Sequence, residues 1–430
     1  RTLIIALADH GESLGEHGEY THGVFLYDST LHIPLVMKGP GIAPGVRIKQ
    51  QVRTIDVLPT VVDLMGSLPP TECQGISVMP ALSGKAVPLR TSYGETLYPK
   101  LNMGWAELRA IRTDRWKYIQ APRPELYDLA NDPGETTNII DQRPVELHEL
   151  EEALKRVTPT PDGKPENVDT SMVDQRTMEQ LKSLGYLSGF AGGQYELTGK
   201  GPDPKDRIAV LKIYETVEAP GSKLPVARRI EMLQRALADD AGNPSTYLYL
   251  GGELEKTGRY NAAMKLYQTA SLNGIQNGKL YSRIADLYLR SGRKEEALPF
   301  YEKAAQYNPS DVESQSKLAT AYLAKGRVED AERVYKWIVT TDESQAAAYN
   351  GLGLISIQRQ DPATARGYFE KAAQLDPDLV EAQLKLGLIY KMAGERERAR
   401  ACFETFLAKA SRTQYAQVIP KVREELIDLQ

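Results

Sequence analysis

The sequence predicts an α/β segment with a small antiparallel sheet, followed by an all-α solenoid. Three observations carry this reading. The apolar run Leu3-Ile4-Ile5-Ala6-Leu7-Ala8 has the composition of a strand buried on both faces, and it stops abruptly at Asp9-His10. Between residues 92 and 130, short runs of strand formers alternate with turn signals. From Tyr247 onward, a step of 34 residues repeats one pattern of aromatic, leucine and small residues.

A chain of 430 residues is long enough for two or three domains with real cores. A formal charge of −4 with 26% charged residues describes an ordinary surface and gives no reason to expect a nucleic-acid partner. Cys73 and Cys402 stand alone in different regions, which excludes a disulfide framework. No apolar run reaches the roughly 18 residues of a membrane span. Arg1 opens directly on a core strand, so the sequence is expected to have lost its true N-terminus.

In order, residues 1–40 read as a strand, an Asp-His turn, a short helical segment over 25–31 and a strand over 33–37, ended by Lys38-Gly39-Pro40-Gly41. A helix opens near Asp56 with Pro59 in its first turn. Its Leu58, Val61, Val62 and Met65 recur at helical spacing and are expected in the core. Strands are expected at 92–97, 107–112, 117–120 and 125–128, with Trp105 and Trp116 in the core or on a sheet face. Residues 145–157 form an amphipathic helix with Leu147, Leu150, Leu154 and Val157 on one stripe. Residues 158–204, rich in Pro and Gly around one short helix at 174–185, read as a linker. The expected domains are therefore 1–157, the linker 158–204, and a helical domain 205–430.

In that domain the 34-residue step from Tyr247 meets Tyr281, Gln315, Tyr349 and Gln383. Three residues later come Leu250, Ile284, Leu318, Leu352 and Leu386, each followed by Gly or Ala. Ala263, Ala297, Ala331, Ala365 and Ala399 precede Tyr267, Tyr301, Tyr335, Phe369 and Phe403. Small residues where helices cross, with aromatics between them, make this the tetratricopeptide (TPR) pattern, in which stacked helix pairs share one core. About six pairs and a capping helix near 413–429 are expected. Tyr249, Arg283, Lys317, Asn350 and Lys385 are expected to face the groove, and the basic ones suggest an acidic or C-terminal-carboxylate ligand.

The candidate chemistry sits in Asp9-His10-Gly11-Glu12. A strand ending in Asp-His delivers a hard carboxylate and a borderline imidazole to its C-terminal edge, where open α/β sheets bind ligands. An ordinary Asp-His-Gly turn is the competing reading, but three of the five His fall between His10 and His22. The stretch from Leu3 to Pro40, including Phe25-Leu26-Tyr27-Asp28-Ser29-Thr30-Leu31-His32-Ile33-Pro34, resembles the C-terminal half of a sulfatase-family hydrolase of the alkaline phosphatase superfamily. The resemblance continues through Ile55-Asp56-Val57-Leu58-Pro59-Thr60, Gln74-Gly75-Ile76-Ser77, Ile111-Arg112-Thr113-Asp114-Arg115-Trp116-Lys117-Tyr118 and Glu125-Leu126-Tyr127-Asp128.

The resemblance implies a partial alkaline-phosphatase-like sulfatase domain in which a metal-activated nucleophile attacks a sulfate or phosphate ester. Asp9 and His10 match the family's second pair of metal ligands. His22 matches a position where many relatives carry a lysine against the transferred oxyanion or the leaving-group oxygen. A His there can also donate a proton, which makes His22 the candidate catalytic residue. His17 reads as loop structure with a ligand role left open, and His32 as a satisfied, partly buried side chain. The family's Cys/Ser-x-Pro-x-Arg motif, whose Cys or Ser becomes a formylglycine nucleophile, does not occur around Cys73 or Cys402. The first acidic ligand pair is missing too, so the chain is expected to hold half of an active site and to be inactive alone. The family's usual metal is calcium, and His10 in place of an amide ligand shifts preference toward manganese or zinc. Three functions fit: hydrolysis of sulfate esters, with repeats that recruit a partner or self-associate; a TPR scaffold carrying a non-catalytic sulfatase remnant; or a phosphatase, phosphonate hydrolase or head-group transferase of the same superfamily.

Overall fold

The computed structural model describes residues 2–85, 88, 90–158, 199–219 and 221–429; the helix expected at 174–185 lies outside them. The described chain divides into two compact units, residues up to 158 together with 199–257, and residues 258–429.

The first unit opens with β1 (Ile4–Leu7), which pairs antiparallel with β2 (Leu35–Lys38) in a two-stranded sheet. The expectation of a central strand buried on both faces is corrected: Ile4 is 56% and Leu7 44% exposed. An apolar run specifies a strand and its wish for cover, but cover is supplied by other elements, and β1 has one strand neighbour here.

A four-stranded antiparallel meander follows, built from β3 (Ser92–Thr96), β4 (Leu108–Arg112), β5 (Trp116–Gln120) and β6 (Glu125–Asp128) in that order. Its register aligns Tyr93, Ile111, Tyr118 and Leu126 in one row across the strands. Strand side chains alternate faces, so this row forms one face, against which the helix Pro144–Val157 packs Leu150, Ala153 and Leu154. Val157, expected on that stripe, is exposed at the helix end. On the other face, Ile119 and Leu108 meet Phe25, Leu26 and Tyr27, all buried. Lys117 is fully buried there and is held by Asp28 at 2.9 Å and Glu135 at 2.8 Å, while Arg112 also bonds Asp28 at 2.8 Å. The segment after residue 23 is therefore pinned to the sheet by both apolar and ionic contacts.

The helix Val57–Leu64 forms where the spacing predicts it, but Leu58 and Met65 are exposed, and Pro59 and Thr60 are buried instead. Polar contacts set its rotation. Thr60 Oγ1 donates to Asp56 O at 2.6 Å and accepts from Val78 N at 3.0 Å. Fully buried Asp56 pairs with Arg53 at 2.9 Å and Arg90 at 2.7 Å.

The helices Ile208–Glu218, Val226–Asp239 and Pro244–Lys256 pack within this same unit. Trp105, fully buried, donates its indole N–H to Asp240 at 2.7 Å, and Ser245 Oγ donates to Asn102 O at 2.6 Å.

The second unit is a helical solenoid of antiparallel pairs, from Tyr260–Leu272 through Arg396–Lys409, followed by the helix Ile419–Ile427. Ala297, Ala331, Ala365 and Ala399 are all fully buried, as the repeat pattern requires. Gly387 faces Phe403 so closely that an added Cβ would lie 2.4 Å from the ring. No helix among the described residues is long and apolar enough to cross a membrane.

Candidate metal centre

The chain turns directly after β1. Gly11 N–H donates to Thr30 O at 2.8 Å, and a Cβ at Gly11 would stand 2.4 Å from Ser29 O, so only glycine admits this approach. That contact fixes His10 and Glu12 on either side of it. His10 Nδ1 lies 2.7 Å from Gly11 O, a contact that requires Nδ1–H to donate and leaves Nε2 as the ring's lone-pair nitrogen. Nε2 is 3.7 Å from Asp9 Oδ2. Asp9 Oδ1 accepts from the His10 amide at 3.0 Å, and its side chain is 79% exposed.

His22 returns to the same place. Its ring stacks on His10 with centroids 3.7 Å apart, and its Nδ1 lies 3.1 Å from Glu12 Oε2. His10, Glu12 and His22 each offer a ligand atom within 4.8 Å of the others. The intervening loop is closed at its base by Ser13 N–H to Thr21 O at 2.9 Å and braced by Gly15 N–H to Glu19 O at 2.9 Å. Buried Glu19 then accepts the Val24 and Phe25 amides at 2.8 and 3.2 Å, tying the loop to the segment that covers the sheet. Burial raises the Glu19 carboxyl to about 7 despite those two bonds.

Of the residues expected at the site, the structure brings His10 and His22 together and places Asp9 at their edge. Glu12 was not assigned a role from the sequence, although it closes the singled-out tetrapeptide. Its signal was a carboxylate two residues beyond a candidate ligand His. His17 is apart from the trio: it stacks on Tyr27 at 3.5 Å, and burial lowers its pKa. His32, expected to be partly buried, is exposed.

In the repeats, the expected acidic ligand meets an obstacle. Lys317 already bonds Asp286 at 2.9 Å and Glu313 at 3.0 Å, and Asn350 Nδ2 donates to Glu381 at 3.1 Å. For Lys317 the fold itself therefore supplies the anions.

Comparison with known proteins agrees with both parts of the fold. The family model "N-sulphoglucosamine sulphohydrolase, C-terminal" matches residues 15–159. Two tetratricopeptide repeat models match within residues 250–380 and at 356–419. The chain is similar to arylsulfatase K of Homo sapiens, at 30% identity over 173 residues, covering 36% of this chain and 31% of that protein. It is also similar to a Δ4,5-hexuronate-2-O-sulfatase of Bacteroides thetaiotaomicron, at 32% identity over 151 residues, covering 32% of this chain and 30% of that protein. The chain thus spans about a third of the length of the curated relatives it matches. A tetratricopeptide repeat protein from Parabacteroides merdae aligns at 20% identity over 50% of this chain and 87% of its own, with a TM-score of 0.39. Residues 15–159 are accordingly a sulfatase C-terminal domain, followed by tetratricopeptide repeats across 250–419.

Proposed function

We propose that this chain supplies the metal-holding and proton-donating part of a sulfuric ester hydrolase, and that its repeats bind a protein partner or a second copy. The observation that carries this is the convergence of His10, Glu12 and His22 within 4.8 Å, beside a region similar to sulfatases. The His10 imidazole and the Glu12 carboxylate, with Asp9 beside them, offer one divalent ion a mixed nitrogen–oxygen donor set that favours manganese or zinc over calcium, and His22 stands next to it as the proton donor. His10 would hold the ion through Nε2, with Asp9 and Glu12 as the neighbouring carboxylates. When bound, such an ion withdraws charge from the non-bridging oxygens of a sulfate ester. Glu12, accepting from His22 Nδ1–H, would orient the ring so that Nε2 passes a proton to the leaving-group oxygen as the S–O bond breaks. Neither Cys73 nor Cys402 has a Cys-x-Pro-x-Arg setting. In this reading the nucleophile therefore comes from polypeptide outside these 430 residues, and the chain alone does not turn over.

Calorimetric titration with zinc and manganese tests the site. One ion is expected to bind per chain, with binding abolished by His10→Ala. Joined to a polypeptide carrying the nucleophile motif, the chain is expected to cleave 4-methylumbelliferyl sulfate in preference to the phosphate, and His22→Ala to suppress that cleavage. Absence of metal binding by the wild-type chain, or preference for the phosphate ester, overturns the reading.

A further inference from the structure

We propose that the helix Ile208–Glu218 is a positioning element of the His10–Glu12–His22 site, an inference that rests on reading that site as a metal centre with His22 oriented beside it. Residues 208, 212 and 215 fall at i, i+4 and i+7 and so share one helix face. All three meet the loop whose ends carry Glu12 and His22. Ile208 lies against Gly18, where an added Cβ would stand 2.7 Å from Ile208 Cγ2; Gly18 also has a φ of +86°. Lys212 Nζ stands 5.9 Å from the centroid of the Tyr20 ring. Glu215 Oε1 accepts the Tyr20 amide at 3.0 Å.

The loop is too short and too well braced to absorb a displacement at its tip. Ser13 N–H to Thr21 O joins its two ends, and the next residues outward are Glu12 and His22 themselves. Removing the Glu215 acceptor leaves the Tyr20 amide without its side-chain partner and releases the tip. The helix thus does for the Glu12–His22 pair what outer-shell partners do for metal ligands generally, fixing orientation before the ion arrives. The helical region on this reading contributes to the site and is more than an appended binding module.

Zinc calorimetry on the full chain, paired with hydrogen exchange of the amides of residues 13–21, tests the proposal. Glu215→Ala and Ile208→Ala are expected to weaken zinc binding about tenfold and to speed exchange in the loop. Glu215→Gln, which keeps an acceptor oxygen, is expected to restore both. Unchanged loop exchange in the alanine variants, with a wild-type circular dichroism spectrum and melt, overturns the proposal. Faster loop exchange with unchanged zinc affinity overturns it as well. If the wild-type chain binds no zinc, the metal reading fails by itself, and the imidazole resonances of His22 become the readout. A shift in Glu215→Ala that Glu215→Gln reverses supports positioning; resonances unmoved by Glu215→Ala overturn it.

Discussion

Glu12 Oε2 and His22 Nδ1 stand 3.1 Å apart across ten residues of sequence, because the Ser13–Thr21 backbone bond closes the loop between them. A carboxylate on the second nitrogen of an imidazole fixes how the ring is turned and which nitrogen faces outward. Glu12→Ala is expected to weaken zinc binding by about 10- to 100-fold while leaving the melting temperature near that of the wild type. Calorimetry with a parallel thermal melt checks this, and equal zinc affinity in the two proteins would remove Glu12 from the site.

Glu19 gives the loop a pH dependence. Its carboxyl is raised from 4.5 to about 7, chiefly by burial, so the folded state holds the proton more tightly than the unfolded chain. The stability it contributes is fully present below pH 4.5 and is lost as pH rises toward 7. Glu19→Gln mimics the protonated form and is expected to stabilise the protein at pH 8 by about 1–3 kcal/mol, with the difference closing near pH 4.5. Urea denaturation at the two pH values measures it. A variant less stable than wild type at pH 8 would contradict the assignment.

Lys117 is the cation that buried Glu135 and partly buried Asp28 share. Lys117→Met leaves Asp28 without one of its two cations and Glu135 without the ammonium it pairs with, and is expected to destabilise by about 3–5 kcal/mol at pH 7. For Asp28, burial pushes the carboxyl up, but Arg112 and Lys117 together outweigh it and bring the pKa from 3.8 to about 2. Its stabilising contribution is therefore present above pH 3.8 and lost as pH falls through 2, so the penalty of the substitution should shrink across that window. A penalty independent of pH would show that packing, and not charge, accounts for the loss.

Two glycines in the repeats should respond oppositely to alanine. Alanine normally gains up to about 1 kcal/mol over glycine in a helix. Gly367 has nothing within 4 Å of an added Cβ, and Gly367→Ala is expected to stabilise by roughly 0.5–1 kcal/mol. At Gly387 the Cβ would strike the buried Phe403 ring, and Gly387→Ala is expected to cost about 1–3 kcal/mol net. Chemical denaturation of the full chain compares them, and changes of the same sign would contradict the packing described here.

The sequence by itself determined the repeat and the meander. A 34-residue period, small residues at helix crossings and turn residues between short strands are local signals, and local signals fix element type and order. It also pointed to His10 and His22, because His and carboxylate were dense in one turn. Only the tertiary structure decided what each face meets. Leu58 and Met65 have helical spacing yet are exposed, because Thr60 and Asp56 bind inward. Lys117, a strand residue with an ordinary surface charge, is buried because Asp28 and Glu135 converge on it from distant positions. Glu12 became part of the site because the backbone bond from its neighbour Ser13 to Thr21, eight residues on, brought His22 back, and Glu215 reached the same loop from nearly two hundred residues away. Contacts of this kind depend on closing long stretches of chain, which no local pattern encodes.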